Sequence, residues 1–348
     1  MTQILSPADI RARITEHGSI PKLVPEYEFV KPLQKSVSSL IDMVVNPEGR
    51  FMMGFPDIDL VTRGFGKGHL VMIEGRSHSG KSQLMLNAVR NNPDSRILWI
   101  TPDEPAELVV LKLAAVTFGL NADEIEKQLK QGDEAMMKRM RDELGEQYPN
   151  LIVYDQRMSV EEIWRAKQEA ENHWSERTDL IVYDYLKQLK LNGGEGSNEE
   201  GKALAFKELS TRLDHPLCVI HQSRHGQASR GTPQGLEGGK GAVEDVATFV
   251  IEVYRKHENE TLPTFDRLRH KRTVSVNVCK NKVPPCRLRD VDLFIDGDTG
   301  FIRTWHDDDG AVRQLDELVA ARRSNGAIEW DEPTFKAVLD EFPGAVVE

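Results

Sequence analysis

The sequence predicts an α/β protein built on a mostly parallel central sheet, with a short N-terminal arm and a short helical C-terminal tail. Apolar runs rich in β-branched residues alternate with helical segments, a pattern typical of a parallel sheet covered on both faces. A glycine-bounded loop, Gly75–Ser82, stands between the first run and a helical segment, in the strand–loop–helix order of a phosphate-binding unit. The predicted strands are Leu70–Ile73, Ile97–Ile100, Leu151–Tyr154, Leu180–Tyr183, Leu217–Ile220, Phe249–Val253 and Val274–Val278.

The chain is predicted to have three parts. Its 348 residues are 39% hydrophobic, which is enough for a substantial core. Residues 1–50 contain several prolines and then an apolar-periodic stretch, Ser36–Val45, so we expect an arm with one short helix. Residues 51–303 carry the alternating strands and helices of the core. Residues 304–348 are predicted to form a tail with a helix over about Val312–Arg323.

Composition and charge narrow the class of protein. No apolar stretch approaches the length of a membrane span, and the N-terminus lacks a basic-then-apolar signal, so we expect a cytoplasmic protein with no membrane partner. Three cysteines without a C-x-x-C pair indicate buried thiols and argue against a disulfide framework or a zinc site. A net charge of −11 argues against a protein that coats nucleic acid with its whole surface, but it allows a local basic groove.

The segment GRSHSGKS matches the full G-x-x-x-x-G-K-S pattern of a phosphate loop. Its glycines let backbone N–H groups turn inward on the phosphates, and the following helix adds the positive end of its dipole. We expect Lys81 to reach the β- and γ-phosphates of a nucleoside triphosphate and Ser82 to bind Mg²⁺. The residues predicted to contact the nucleotide are Gly75, Arg76, Ser77, His78, Ser79, Gly80, Lys81 and Ser82.

Acidic residues follow two other predicted strands. Asp184 ends the run Leu180–Tyr183, where a carboxylate can orient a water on Mg²⁺ opposite the phosphate loop. Asp103 and Glu104 follow Ile97–Ile100, where a carboxylate can polarise the attacking water. The same two residues also fit the acidic start of a helix, which the helix dipole favours. Both interpretations stand for this pair.

The family resemblance of the chain rests on seven segments in order: GRSHSGKS, ILWITPDEPAE, LIVYDQRMSVEEI, DLIVYDYLKQLK, LCVIHQSR, GAVEDVATFVIEVYR and VCKNK. Over about Met52 to Arg303 they resemble the ATPase domain of DnaB-type hexameric replicative helicases, superfamily 4 helicases of the RecA-like superfamily. The resemblance implies a RecA-like P-loop NTPase core that hydrolyses ATP with Mg²⁺. It also implies single-stranded DNA as a partner, self-assembly into a hexameric ring, and contacts with other DNA replication proteins.

Carried over to single positions, the resemblance implies roles within one subunit. Asp184 binds the metal, and Gln222 is the γ-phosphate sensor. The catalytic carboxylate is Asp103 or Glu104, because this chain has Asp103 where the family motif places glutamate and has Glu104 next to it.

The resemblance further implies that Lys280 and Lys282 act on the nucleotide of a neighbouring subunit. Lys282 stands where the family usually has an arginine finger. Lysine is a point charge without the planar fork that clamps two oxygens, which predicts slower or less tightly coupled hydrolysis.

Two glycine-rich loops, Asn192–Gly201 and Gly226–Gly241, would project into the channel of such a ring, where backbone N–H groups and cations can follow a single strand. The second loop carries Arg230 and Lys240, with Arg224 at its base, so these are the candidate DNA contacts. The alternative for this loop is a solvated surface loop.

The function inferred from the sequence is an ATP-dependent motor that moves along single-stranded DNA and unwinds duplex DNA. One alternative is a RecA/RadA-like recombinase that holds DNA in a filament. Another is a nucleotide-gated scaffold that binds DNA and hydrolyses ATP slowly. The acidic segment His306–Asp309 is interpreted as a solvated connector, and its alternative is a metal site for cleavage of DNA.

Overall fold

A computed structural model of the chain describes residues 33–45, 49–191, 199–222, 231–233, 236, 242–263, 267 and 270–305. Helix α1, Leu33–Val45, belongs to a first unit, residues 1–48. This confirms the helix predicted over Ser36–Val45, which begins earlier than expected. The helix predicted over Val312–Arg323 lies outside the described residues.

The second unit starts at Gly49 and contains the remaining described helices and strands. Its α-helices are α2 Pro56–Thr62, α3 Lys81–Arg90, α4 Ala106–Phe118, α5 Ala122–Lys130, α6 Glu134–Lys138, α7 Leu144–Gln147, α8 Val160–Trp174, α9 Glu199–Arg212 and α10 Ala242–Val246. Its strands are β1 Leu70–Gly75, β2 Ile97–Ile100, β3 Leu151–Tyr154, β4 Leu180–Asp184, β5 Leu217–Gln222, β6 Phe249–Tyr254, β7 Thr273–Asn281, β8 Arg289–Ile295 and β9 Ile302–Thr304. No helix among the described residues is both long and apolar enough to cross a bilayer.

The strands form one nine-stranded sheet in the order β3-β2-β4-β5-β1-β6-β7-β8-β9. The strands from β3 to β6 in this order pair in parallel, and β7, β8 and β9 add antiparallel pairs at the far edge. The mostly parallel sheet is therefore confirmed, and each of the predicted strands is present. Strand β7 is longer than expected, because it continues past Val278 to Asn281.

Helices cover both faces of the sheet, which explains why the parallel strands are apolar throughout. Strand β1 sends Val71 and Ile73 into a core shared with α3 and α4, and it sends Leu70 and Met72 into a core shared with α8 and α9. All of strand β1 is buried. Successive side chains of a strand point to opposite faces, so a strand between two helical layers needs apolar residues at consecutive positions.

Local signals set the ends of several helices. Helix α8 begins with a capping box, in which the Glu162 N–H donates to the Ser159 hydroxyl at 3.3 Å and the Ser159 N–H donates to the Glu162 carboxylate at 2.7 Å. Helix α4 ends at Gly119, whose φ of +66° lies in the left-handed region that glycine adopts freely.

Two expectations are corrected. The predicted loop Asn192–Gly201 is partly helical, because α9 starts at Glu199, and acidic residues in a first turn favour a helix. The cysteines are free, as expected, but they are not all buried: Cys286 is exposed in the connection between β7 and β8, and Cys218 is buried.

Candidate nucleotide-binding site

The site is built at the carboxyl edge of the parallel sheet, because parallel strands all end on the same side. Strand β5 lies between β1 and β4, so the phosphate loop after β1 and the acidic end of β4 flank it. Gly75, at the end of β1, pairs in register with Gln222 at the end of β5. Asp184 pairs with Ile220 of the same strand. The fold therefore brings three sequence-predicted positions, Gly75, Asp184 and Gln222, to one edge.

The two glycines of the phosphate loop meet different steric demands. A Cβ at Gly75 would lie 2.2 Å from the Val253 carbonyl oxygen and 2.6 Å from the Ser79 hydroxyl, so a larger residue does not fit. Gly80 has a φ of +102° at the start of α3, in the region that disfavours other residues. The loop backbone is thus shaped so that N–H groups before α3 can surround an anion.

Lys81 places a buried cation beside this loop. Its side chain is 9% exposed, and its ammonium donates to the Arg76 carbonyl at 2.6 Å. Burial lowers the pKa of Lys81 to about 8, although the nearby charge of Asp184 opposes the shift. Among the described residues Lys81 has no carboxylate within ion-pair distance, so a phosphate would supply the missing negative charge.

Ser82 and Asp184 form the candidate Mg²⁺ site. The Ser82 hydroxyl donates to Oδ2 of Asp184 at 2.6 Å. Burial, together with the negative charge of Glu104, raises the pKa of Asp184 to about 6, although the Ser82 hydrogen bond and the charges of Lys81 and Lys112 act against the shift. A hydroxyl and a carboxylate match the oxygen ligands that Mg²⁺ takes, and this cation completes its shell with water and phosphate. The residues present therefore fit the ion.

The structure distinguishes the two neighbouring acidic residues after β2. Glu104 is partly buried, forms an ion pair with Lys112 of α4, and lies close enough to Asp184 to raise the pKa of that carboxyl. Asp103 is exposed and accepts a hydrogen bond from the Gln188 amide at 3.1 Å. Glu104 is thus the carboxylate that lies nearer the candidate metal site.

Lys280 and Lys282 lie away from the phosphate loop of their own chain. The backbone N–H of Lys282 donates to the Thr248 carbonyl at 3.0 Å, and the Thr248 N–H in turn donates to Leu70, at the start of β1. Gly75 lies at the opposite end of that strand, and each strand residue adds about 3.3 Å. Lys280 pairs with Val250, next to Met72. Neither lysine joins the site of its own chain.

The sequence pattern of the DnaB-like helicase C terminal domain matches residues 51–297, which is most of the chain. The chain belongs to the DnaB-like helicase C terminal domain family.

Curated relatives of this DnaB-like domain are distant in sequence. The chain is 24% identical to the replicative DNA helicase DnaB of Helicobacter pylori strain 26695, over 58% of this chain and 43% of the relative. It is 22% identical to the same helicase of strain J99, over 85% of this chain and 60% of the relative. It is 21% identical to the replicative DNA helicase DnaB of Geobacillus stearothermophilus, over 66% of this chain and 53% of the relative. The chain spans about half the length of these relatives.

Solved structures support the DnaB-like fold. One solved ATPase domain superposes with a TM-score of 0.66 at 17% identity, covering 80% of this chain and all of that domain. A DnaB-like replicative helicase, described with its interactions with primase, superposes with a TM-score of 0.64 at 16% identity, covering 86% of this chain and 72% of that one. These likenesses confirm the RecA-like fold that the sequence predicts.

Some residues of the DnaB-like site were missed, and others lie outside the described residues. Lys112 was missed because nothing in the sequence links it to Glu104, and its role depends on how α4 packs beside β4. The predicted DNA contacts Arg224, Arg230 and Lys240 lie outside the described residues.

Proposed function

We propose that this protein is a ring-forming, ATP-hydrolysing DNA motor that moves along single-stranded DNA and unwinds duplex DNA. The observation that carries the proposal is the contact between Ser82 and Asp184 at 2.6 Å, beside a complete phosphate loop, in a chain of the DnaB-like family. A hydroxyl and a buried carboxylate placed together in this way suit a nucleoside triphosphate with its Mg²⁺.

Within one chain, different residues would have different roles in ATP hydrolysis. Gly75–Ser82 would hold the phosphates through backbone N–H groups, and the Lys81 ammonium would stabilise negative charge on them. Ser82 and Asp184 would hold Mg²⁺, which when bound neutralises phosphate charge. Glu104 would accept a proton from the attacking water, the task of a general base, and its ion pair with Lys112 would hold the carboxylate in place. Gln222, opposite Gly75 in register, would contact the γ-phosphate.

Further positive charge near the γ-phosphate would come from a neighbouring subunit. The ammonium groups of Lys280 and Lys282 bind backbone carbonyls of α10, and the described residues include no hydrogen bond from them to their own phosphate loop, so we infer that they serve the loop of the next copy in a ring. A cation there would stabilise charge that spreads over the γ-phosphate as it leaves.

Helix α1 supports self-association. Leu33, Val37, Leu40 and Ile41 are 79%, 45%, 54% and 54% exposed, and their spacing places them on one face of the helix. An exposed apolar face of this kind is typical of an interaction surface. We infer that a second copy of the chain covers it in the assembly, which we propose to be a hexamer.

DNA and other replication proteins complete the proposed partners. Arg224, Arg230 and Lys240 would contact single-stranded DNA through its phosphates, since each is a cation in or beside a glycine-rich loop. A DnaB-like helicase of known structure interacts with primase, so replication proteins of that kind are the further partner class.

The test is ATP turnover with and without single-stranded DNA, together with strand displacement from a forked duplex. We expect DNA to stimulate turnover and ATP to drive displacement, and a Lys81→Ala variant to lose both. DNA-stimulated turnover with helical filaments and no displacement would favour a recombinase. Weak turnover that ignores DNA would favour a nucleotide-gated scaffold. Electron micrographs of the assembly distinguish rings from filaments.

A further inference from the structure

The carboxyl end of helix α10 binds the side chains of two lysines. The Lys280 ammonium donates to the Glu244 carbonyl at 2.6 Å and to the Asp245 carbonyl at 3.0 Å. The Lys282 ammonium donates to the same Asp245 carbonyl at 2.9 Å. Two cations therefore converge on adjacent carbonyls of the last turn of α10, Ala242–Val246.

The chemistry of a helix end explains this arrangement. The last carbonyls of a helix lack partners within the helix, so they can accept hydrogen bonds from ammonium groups; the Glu244 carbonyl also accepts one from the Ala247 N–H at 3.3 Å. The backbone of Lys282 is also fixed, because its N–H donates to the Thr248 carbonyl at 3.0 Å. With the backbone held by the sheet and the ammonium held by α10, the side chain loses much of its freedom.

Buried acidic groups lie near the Lys280 ammonium. The Glu244 residue is 1% exposed, and its carboxylate oxygens make no hydrogen bond to any other described residue. Glu74 and Glu252, which face each other in register on β1 and β6, are also buried. The charge of Lys280 acts on both Glu74 and Glu244, and in each case it lowers a pKa that burial raises. The positive charge of Lys280 thus offsets part of the cost of burying the negative charges of Glu74 and Glu244.

We propose that the carboxyl end of α10 positions Lys280 and Lys282 for the nucleotide of the neighbouring subunit, and that Glu244 is the positioning residue for Lys280. The inference rests on the proposed action of these lysines on a neighbouring site. A cation contributes most to a developing charge when it is fixed before the reaction, because no reorganisation is then needed.

The first experiment compares two glutamate-to-glutamine variants. Glu244→Gln removes the buried charge, and Glu208→Gln is the matched control on an exposed position of α9. With single-stranded DNA present, we expect Glu244→Gln to lower kcat by about three- to tenfold, toward the lower end of the roughly 2- to 150-fold effects measured between neighbouring residues, with KM for ATP unchanged. Glu208→Gln leaves both unchanged. A Glu244→Gln change added to Lys280→Ala costs nothing further, since the residue acts through Lys280.

A mixing experiment shows whether the loss of turnover in Glu244→Gln arises at the subunit's own phosphate loop or at that of its neighbour. Lys280→Ala/Lys282→Ala subunits keep an intact phosphate loop, and Lys81→Ala subunits keep intact lysines. If the lysines act across the interface, mixing these two inactive proteins restores partial turnover. Glu244→Gln subunits should then gain turnover when they are mixed with Lys81→Ala subunits, and not when they are mixed with the double-lysine variant.

The outcomes separate this inference from the proposed function. Recovery of Glu244→Gln with the double-lysine variant instead would overturn the inference, because Glu244 would then act on its own phosphate loop. Normal kcat in Glu244→Gln, alongside recovery in the lysine and Lys81→Ala mixture, would also overturn it and would leave the action across the interface intact. Full activity of the double-lysine variant by itself would remove that action and the inference with it.

Discussion

The hydroxyl of Ser82 donates to Oδ2 of Asp184 at 2.6 Å, although the two residues are 102 positions apart in the chain. Ser82 lies in the first turn of α3 and Asp184 at the end of β4, with β5 between β4 and the phosphate-loop strand β1. The contact joins the two halves of the candidate Mg²⁺ site. Groups that the fold already holds close together lose little further freedom when they bind a ligand.

Replacing Lys81 should separate catalysis from folding. We expect Lys81→Ala to lower ATP turnover by about 100-fold or more, because it removes the cation nearest the phosphates. The melting temperature should stay the same or rise, since a buried ammonium that burial disfavours is removed. Turnover assays and thermal unfolding measure the two effects. Lys127→Ala, at a 64% exposed side chain on α5, is the control, and near-normal turnover in a folded Lys81→Ala protein would contradict a motor function.

The neighbouring carboxylates after β2 should differ in effect. We expect Glu104→Gln to lower turnover by about 100-fold or more with ATP binding retained, because general-base catalysis contributes about that much. Asp103→Asn should be much milder, since Asp103 is exposed and bonds to Gln188. Single-turnover hydrolysis and nucleotide binding distinguish the two steps.

The ion pair of Glu104 needs its own control. Lys112→Met removes the partner and leaves the carboxylate, so its loss of turnover should be smaller than that of Glu104→Gln. The reverse order of activities for the two acidic residues would assign the base to Asp103, as the register of the family motif suggests.

The stability of the metal-free protein should depend on Asp184. Its folded pKa of about 6 lies above its ordinary value of 3.8, so the protonated form is favoured by folding. This contribution is fully present below about pH 4 and is lost as the pH rises through about 6. Asparagine never ionises, so the stability gained by Asp184→Asn should grow over that interval to about 3 kcal/mol.

Denaturant unfolding in the absence of Mg²⁺, at several pH values, measures this difference. Asp298→Asn, at an exposed position in the turn before β9, is the matched control and should show no such trend. An Asp184→Asn protein whose stability relative to wild type is the same at every pH would refute the raised pKa.

Charge reversal in the segment Gly226–Gly241 should weaken DNA binding. We expect Arg230→Glu with Lys240→Glu to lower affinity for single-stranded DNA and to reduce the slope of log affinity against log salt by about 0.7 for each lost phosphate contact. Fluorescence anisotropy across a salt series measures the slope. Lys127→Glu with Lys130→Glu, both on the exposed face of α5, gives a matched charge change elsewhere. Equal slopes in the two double variants would indicate that the segment is an ordinary surface loop.

The phosphate loop and the strands could be predicted from the sequence because each depends on residues that are close together in the chain. Gly75 and Gly80 are required by the close approach of Val253 and by a left-handed backbone, and no other residue type substitutes easily at such positions. The parallel strands lie between two helical layers, so their runs of apolar residues are almost uninterrupted. The end of β7 was misjudged, because Lys280 is polar yet still pairs with Val250 in the sheet.

The choice between Asp103 and Glu104 could not be made from the sequence. Both are acidic, both follow the same strand, and both suit the start of a helix. The packing of α4 gives them different surroundings, since it brings Lys112 to Glu104 and leaves Asp103 exposed, and our proposal of Glu104 as the base rests on that difference.

The sequence by itself determined the α/β class, the phosphate loop and the acidic end of β4, because each depends on residues adjacent in the chain or on a regular period. Tertiary structure alone decided which groups meet: Ser82 with Asp184, and Lys280 with the carboxyl end of α10. The physical reason is that strand order and register set these contacts. The order β4-β5-β1-β6-β7 follows from packing the whole sheet between its helices, and no local pattern in the chain records it.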